Sequence, residues 1–387
     1  MSVTGRFEEG FKSPLSEGYG YLMVNIGAQV TEIDTPALLV DLDVFERNIE
    51  TMARFIRTVP AELRPHEKTH KCPIIGHKQI EAGAIGVTCA KLGEAEAMVE
   101  AGIKDVLIAN QIIGEPKVTR LVNLAKHSNI IVAVESYPNV RYLAEAAKKK
   151  GVRLNVLIEV DVGNNRCGTP HGEPTLDLAR EVAKHSSLRL RGLLGYEGFC
   201  QNIQSLEERR VKTHEAMEKL VSTKDLLDDK GFDMGIVSAG GTGTHMITGR
   251  YPGITEVEAG SYIFMDTTYR RVEGLEPYDY ALTVLTTITS LPRPKIAICD
   301  AGLKAITFEP NRPFPQAKGV EGVTYERPSE EHGRLRVEPG SELKVGDKIE
   351  MIASHCCTNT NLYDHYHCIR DGSLEAVWRI AARGRSQ

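Results

Sequence analysis

Two things are scarce in this chain. Aromatic residues make up 6% of its 387 positions, with a single tryptophan, and neither sign of charge prevails, 47 lysines and arginines standing against 52 aspartates and glutamates. The resulting net charge of -5 excludes the broad basic surface that nucleic acid needs as a general partner. No apolar run reaches the roughly 18 residues of a membrane span, and the first residues, with Glu8 and Glu9, form no hydrophobic signal segment. The expectation is a soluble, cytoplasmic protein without a membrane partner. A dinucleotide fingerprint is also missing, because no second glycine set or ribose-binding acid follows the first strand-helix turn. The eight cysteines, at 72, 89, 167, 200, 299, 356, 357 and 368, lack the spacing of a disulfide framework. They read as reduced thiols, with adjacent Cys356 and Cys357 the pair to question.

What is present is a regular alternation. From Thr35-Pro36 onward, apolar runs of strand length alternate with amphipathic segments of helical period. Strands are predicted at 37–41, 63–68, 85–90, 105–109, 130–135, 154–160, 190–196 and 234–238. Helices are predicted at 43–57, 73–82, 93–102, 115–126, 138–150, 173–185 and 205–229, and Gly249, Pro252 and Gly253 interrupt any helix after the last strand. Eight strands alternating with helices is the count of a (β/α)8 TIM barrel, here over residues 34–275. Beyond about residue 275, segments rich in Thr, Val and Ile alternate between prolines and glycines, which predicts an all-β domain over 276–387. Residues 1–33 have little periodicity; Tyr19, Tyr21 and Met23 suit a short strand or arm joining that β-domain.

In a barrel of this kind chemistry collects at the C-terminal strand ends. The second strand leads into Arg64-Pro65-His66-Glu67-Lys68-Thr69-His70-Lys71. Lys68, among histidines and further cations, is a candidate Schiff-base amine, since crowded positive charge and partial burial disfavour another ammonium. The same window alone also suits an exposed basic strand end. The sixth strand runs through Asp161 into Gly163-Asn164-Asn165-Arg166-Cys167-Gly168 and puts a guanidinium over the barrel mouth; the seventh delivers Tyr196 and Glu197. The eighth ends in Ser238-Ala239-Gly240-Gly241-Thr242-Gly243-Thr244, whose backbone N–H groups and following helix suit a phosphate, although glycine turns after strands are common. An amine, a phosphate cradle and a partner for a ring nitrogen are together what pyridoxal 5'-phosphate requires.

The Arg64–Lys71 window, the Val160–Gly168 segment, the Gly240–Thr244 loop, Glu258-Ala259-Gly260-Ser261-Tyr262, Asp300-Ala301-Gly302-Leu303-Lys304, His355-Cys356-Cys357 and Asn361-Leu362-Tyr363-Asp364 carry a resemblance over nearly the whole chain. They resemble the alanine-racemase-like, fold-type III pyridoxal-phosphate enzymes, and within them the D-threonine aldolase and D-serine dehydratase family. The resemblance implies that Lys68 binds the cofactor's aldehyde and that Arg166 meets its ring nitrogen. It makes Gly240, Gly241, Thr242, Gly243 and Thr244 the phosphate loop, helped by Tyr262, and sets Tyr196 against the cofactor. It also implies a barrel plus β-domain in a homodimer with active sites near the subunit interface.

A guanidinium donates without protonating the ring, which leaves the cofactor a weaker electron sink and calls for help. His355 and Cys357 offer it: in an extended segment residues two apart share a face, and imidazole with thiolate suits a divalent metal. Read without the family they are an ordinary histidine beside a buried cysteine. With it they hold Mg²⁺, Mn²⁺, Co²⁺ or Zn²⁺, which acidifies a substrate β-hydroxyl. Deprotonating that hydroxyl gives retro-aldol cleavage of a β-hydroxy-α-amino acid; expelling it gives a dehydratase. The cysteine ligand resembles the dehydratases and the longer windows resemble the aldolases, so the aldolase reading is favoured over the dehydratase and over a non-catalytic cofactor carrier. The aldolases' histidine after the seventh strand is here Asn202, so that a metal-bound water, Glu197, His66 or another histidine takes the proton, or the reaction is not the usual one. It also suggests a β-carboxylate in place of a methyl, as in 3-hydroxyaspartate. His365, His367 and Arg370 are candidate cations for that carboxylate.

Overall fold

The computed structural model describes residues 24–387, so the expectation for Tyr19, Tyr21 and Met23 lies outside the described residues. The seven expected helices form within two residues of each end. They cover a ring of parallel strands: Glu62–Leu63, Val87–Cys89, Asp105–Gln111, Asn129–Val134, Leu154–Asp161, Leu188–Gly195, Ile236–Ala239 and Glu256–Val257. Each pairs in parallel with its neighbour. The ring closes where His66 bridges Thr88 and the Thr88 N–H donates to the Pro65 carbonyl at 2.8 Å. Strands covered on both faces need continuous apolar runs, and Val106–Ile108, Ile130–Val134 and Val156–Ile158 are buried throughout.

One strand is not where periodicity put it. Ala37–Asp41 forms as expected, yet it pairs antiparallel with Leu282–Arg293 and in parallel with His365–Arg370, outside the barrel. A short run buried on both faces carries no mark of which sheet receives it. The eighth barrel strand is instead Glu256–Val257, too short to show a period. The helix after Ile236–Ala239 is a single turn, His245–Thr248.

The second unit is an antiparallel barrel ordered Ile296–Cys299, Gly333–Val337, Val323–Pro328, Gln316–Ala317, Lys348–Ile352, Leu282–Arg293 and back to Ile296–Cys299. Ala37–Asp41, His365–Arg370 and Ser373–Arg379 extend its sheet. Residues 27–30 hydrogen-bond along the 372–374 backbone at this edge. One continuous core joins both units. At the junction Phe45 packs on Phe264 and Trp378 with ring centroids 6.3 and 5.8 Å away, and Phe264 meets Tyr366 at 5.5 Å. Each such aromatic contributes on the order of 2 kcal/mol by burial. Among the described residues no helix is long and apolar enough to cross a membrane.

Candidate active site

A cavity of about 250 Å³ opens at the C-terminal ends of the barrel strands, with Lys68, His66, Arg166, Tyr196, Thr242 and Glu258 in its wall. Lys68 sits on the single helical turn Glu67–Thr69, whose entry His66 caps by accepting the Lys68 N–H on Nδ1 at 3.5 Å. Burial, and then the Lys68 charge, push His66 well below the ordinary histidine range, which favours its neutral form. Both cations approach the Tyr196 ring: Lys68 Nζ lies 5.4 Å and Arg166 Cζ 5.5 Å from its centroid. The Arg166 side chain is 55% exposed and its Nη2 stands 3.7 Å from Glu159, whose carboxyl burial holds above the usual range.

The glycine loop is built differently from its expected role. Gly240, Gly241 and Thr242 face the cavity, whereas Gly243 and Thr244 lie behind it. Most of the loop's N–H groups are taken: Gly240 donates to Glu197 at 3.1 Å, Gly241 to Thr244 Oγ1 at 3.2 Å and Gly243 to Gln201 Oε1 at 2.9 Å. The Thr242 N–H has no such partner among the described residues. Glu197, expected as a base, is fully buried under the loop, where its carboxylate accepts from Gly240, Thr244 and Thr248. It is a loop support and not a cavity wall, because two hydroxyls and an N–H have already turned it inward. Tyr262 is likewise out of reach: its hydroxyl accepts from Gln79 at 2.9 Å behind the barrel wall, while its backbone N–H donates to Thr242 Oγ1 at 3.0 Å.

His355 and Cys357 meet, but not as alternate residues of a strand. His355 is extended and caps the helical turn Cys356–Thr360, because Asp266 captures the Cys356 N–H at 3.0 Å and bends the chain there. The ligand atoms of His355, Cys356 and Cys357 lie within 4.8 Å of one another. Cys357 Sγ is 3.3 Å from Thr69 Oγ1 and 3.5 Å from Ser261 Oγ, both in the cavity wall, so the pair abuts the Lys68 turn. A hydrogen bond from Cys356 and the neighbouring His355 charge, against the opposing effect of burial, hold the Cys357 thiol well below its ordinary value. Burial pulls His355 down, yet the Cys357 thiolate and Asp266 outweigh it and raise the imidazole to about 10. A thiolate beside an imidazole is a donor set that fits a divalent cation.

Glu258 escaped the sequence reading as a functional residue. It lines the cavity, accepts from Ser238 Oγ at 2.7 Å, and burial pushes its carboxyl up to about 7. The signal was its place directly after Glu256–Val257, the strand that the periodicity did not register. Asn202 is exposed. His365, His367 and Arg370 lie on a β-domain strand and not in the cavity wall, and Arg370 is already engaged by Asp43, Glu46 and Glu375.

Residues 40–268 match the alanine racemase N-terminal domain family and residues 281–369 the putative serine dehydratase domain family. The chain belongs to the alanine-racemase-like family. It is 35% identical to a 3-hydroxy-D-aspartate aldolase of Paracoccus denitrificans (strain Pd 1222), over 93% of this chain and 94% of that one. The crystal structure of D-threonine aldolase from Filomicrobium marinum superposes with a TM-score of 0.90 at 36% identity, covering 94% of this chain and 100% of that one. The D-threo-3-hydroxyaspartate dehydratase of Delftia sp. HT23 follows with a TM-score of 0.83 at 27% identity, covering 91% and 98%. That dehydratase has also been solved with a histidine and with a cysteine replaced two positions apart, the cysteine variant in a metal-free form. Members of this family are pyridoxal-phosphate-dependent, and the metal-free form of the cysteine variant marks a metal site in that dehydratase. The residues present fit both groups: an amine inside the cavity, a loop N–H free to meet a phosphate, and an imidazole–thiolate pair at the wall.

Proposed function

We propose that this chain is a pyridoxal-phosphate- and metal-dependent aldolase that cleaves 3-hydroxyaspartate to glycine and glyoxylate, with D-threonine, giving acetaldehyde, as a second substrate. The observation that supports the proposal is the contact of Cys357 with Thr69 and Ser261, which sets the His355–Cys357 turn against the wall of the cavity that holds Lys68. Lys68 supplies the amine for the cofactor's aldehyde, and the free Thr242 N–H of the glycine loop receives its phosphate. Arg166 would meet the ring nitrogen, to which a guanidinium donates without protonating it, and Glu258 stands in the same cavity wall.

When bound, the cofactor takes up the electron pair released at Cα and the metal acidifies the β-hydroxyl. Neutral His66 accepts the hydroxyl proton; the hydroxyl becomes a carbonyl as the Cα–Cβ bond breaks, and Lys68 returns a proton to Cα to give glycine. The decisive assay incubates cofactor-loaded protein and Mn²⁺ with β-hydroxyaspartate, D-threonine and D-serine separately, beside an EDTA control. Glycine with glyoxylate or acetaldehyde, abolished by EDTA, is the expected product pair. The Cys357 ligand supports the dehydratase as the second reading, and oxaloacetate or pyruvate with ammonia would establish it. A homodimer is the assembly that the family resemblance implies, and light scattering reads the mass. Eight unpaired thiols support a cytoplasmic site.

A further inference from the structure

We infer that Asp266 is a positioning residue of the metal centre, holding His355 so that its Nε2 faces the cation. The inference rests on the metal role proposed for His355 and Cys357, and adds to it a group that no sequence motif singled out. Asp266 is 1% exposed and both its oxygens are filled. Oδ2 accepts from His355 Nδ1 at 2.9 Å and from the Cys356 N–H at 3.0 Å. Oδ1 accepts from the Thr268 and Tyr269 N–H groups at 3.0 and 2.9 Å. A carboxylate accepting four hydrogen bonds cannot rotate without breaking them. Because it accepts only, the proton it meets on His355 belongs to Nδ1, and a bound metal would take the place of the proton on Nε2.

The surrounding chain is arranged to keep Asp266 there. Met265, directly before it, is held at φ +52°, a left-handed conformation that an unbranched apolar residue gains nothing from locally. Two further hydrogen bonds tie the same barrel loop to the segment that carries His355: Thr267 N–H to the Ala353 carbonyl at 3.2 Å and Thr268 Oγ1 to the Ser354 carbonyl at 2.6 Å. Tyr269, whose N–H ends on Asp266, is itself part of the cavity wall. One buried carboxylate thus fixes a metal ligand and a cavity-lining residue together.

The test is Asp266→Asn. Its side-chain oxygen still accepts from Thr268 and Tyr269, but its amide NH₂ cannot accept from His355 Nδ1 or the Cys356 N–H. Calorimetric titration of the cofactor-loaded, metal-stripped protein with Zn²⁺ and Mn²⁺ should show binding weakened by about 10- to 100-fold, while the visible absorption of the cofactor on Lys68 is unchanged. A fall in melting temperature with metal affinity within twofold of the parent would make Asp266 a structural staple and overturn the inference. His355→Ala separates the two layers of argument: if it leaves metal affinity intact, the metal reading itself fails, whereas if it abolishes binding and Asp266→Asn does not weaken it, only the role of Asp266 fails. Should Asp266→Asn not fold, ¹⁵N-histidine spectra of the metal-loaded parent, assigned against His355→Ala, decide the matter. A proton on Nδ1 is expected, and one on Nε2 would refute the inference.

Discussion

Lys68 and Glu258 approach the same cavity from opposite ends of the barrel sequence, one after the first barrel strand and one after the last. Lys68→Ala removes the only lysine among the described residues of the cavity wall; the cofactor's visible band should vanish and turnover should fall by at least about 10³-fold, on the scale of lost nucleophilic groups. A retained band would take Lys68 out of the mechanism. For Glu258 the stability of the cofactor-free protein is the readout. Its folded value of about 7 lies above the ordinary 4.5, so the folded state binds more protons than the unfolded one between those values. Stability therefore falls as pH rises from about 4.5 to 7, by about 3 kcal/mol from this group alone. Glu258→Gln should remove that slope, and chemical denaturation at pH 5 and 8 in both proteins should show the variant gaining on the parent only at the higher pH. Lys68 was legible from the sequence because a cation cluster ends a strand. Glu258 was not, because two residues of strand leave no period to read.

At the scale of elements, the Gly240–Thr244 loop shows what a glycine motif does and does not specify. Glycines at a strand end were read as free N–H groups for a phosphate, yet Glu197, Thr244 and Gln201 occupy most of them. Sequence shows that the loop is special and not which side chains reach it from sixty or fewer residues away. The need for glycine at 243 is steric: a Cβ there would stand 2.0 Å from the Gln201 carbonyl oxygen, a backbone atom that cannot step aside. Gly243→Ala should force the loop off Gln201 at a cost of about 1–3 kcal/mol, and should weaken cofactor binding because Gly241 and Thr242 move with it. Thermal melts with and without pyridoxal phosphate check both; an unchanged melting temperature would show the loop to be loose. The His355–Cys357 turn teaches the same lesson, since the residues were found by spacing while the geometry comes from Asp266, some ninety residues earlier.

For the molecule as a whole, the site exists because two units are locked together. The barrel brings Lys68, Arg166 and Glu258 to the cavity wall, and the β-domain sets the proposed metal ligands His355 and Cys357 against that wall at Thr69 and Ser261. Alternating strands and helices made the barrel visible in sequence, and Thr-, Val- and Ile-rich segments the β-domain, but the strand Ala37–Asp41 crosses between them and no local pattern reports that. The lock reaches the catalytic turn directly: the Tyr366 hydroxyl, fully buried in the β-domain, donates to the His70 carbonyl at 2.8 Å, two residues past Lys68. Tyr366→Phe keeps the aromatic packing on Phe264 and removes the hydroxyl, with its bond to the His70 carbonyl and its contact with Thr360 Oγ1 at 3.3 Å. Leaving the buried carbonyl unpaired should cost about 1–3 kcal/mol. A second effect distinguishes a lock from mere packing, because the Glu67–Thr69 turn loses its tether to the unit that carries Cys357. Turnover should therefore fall several-fold while the cofactor's absorption, which needs the barrel alone, stays unchanged. Loss of stability with full turnover would mean that the barrel holds Lys68 in place without its neighbour.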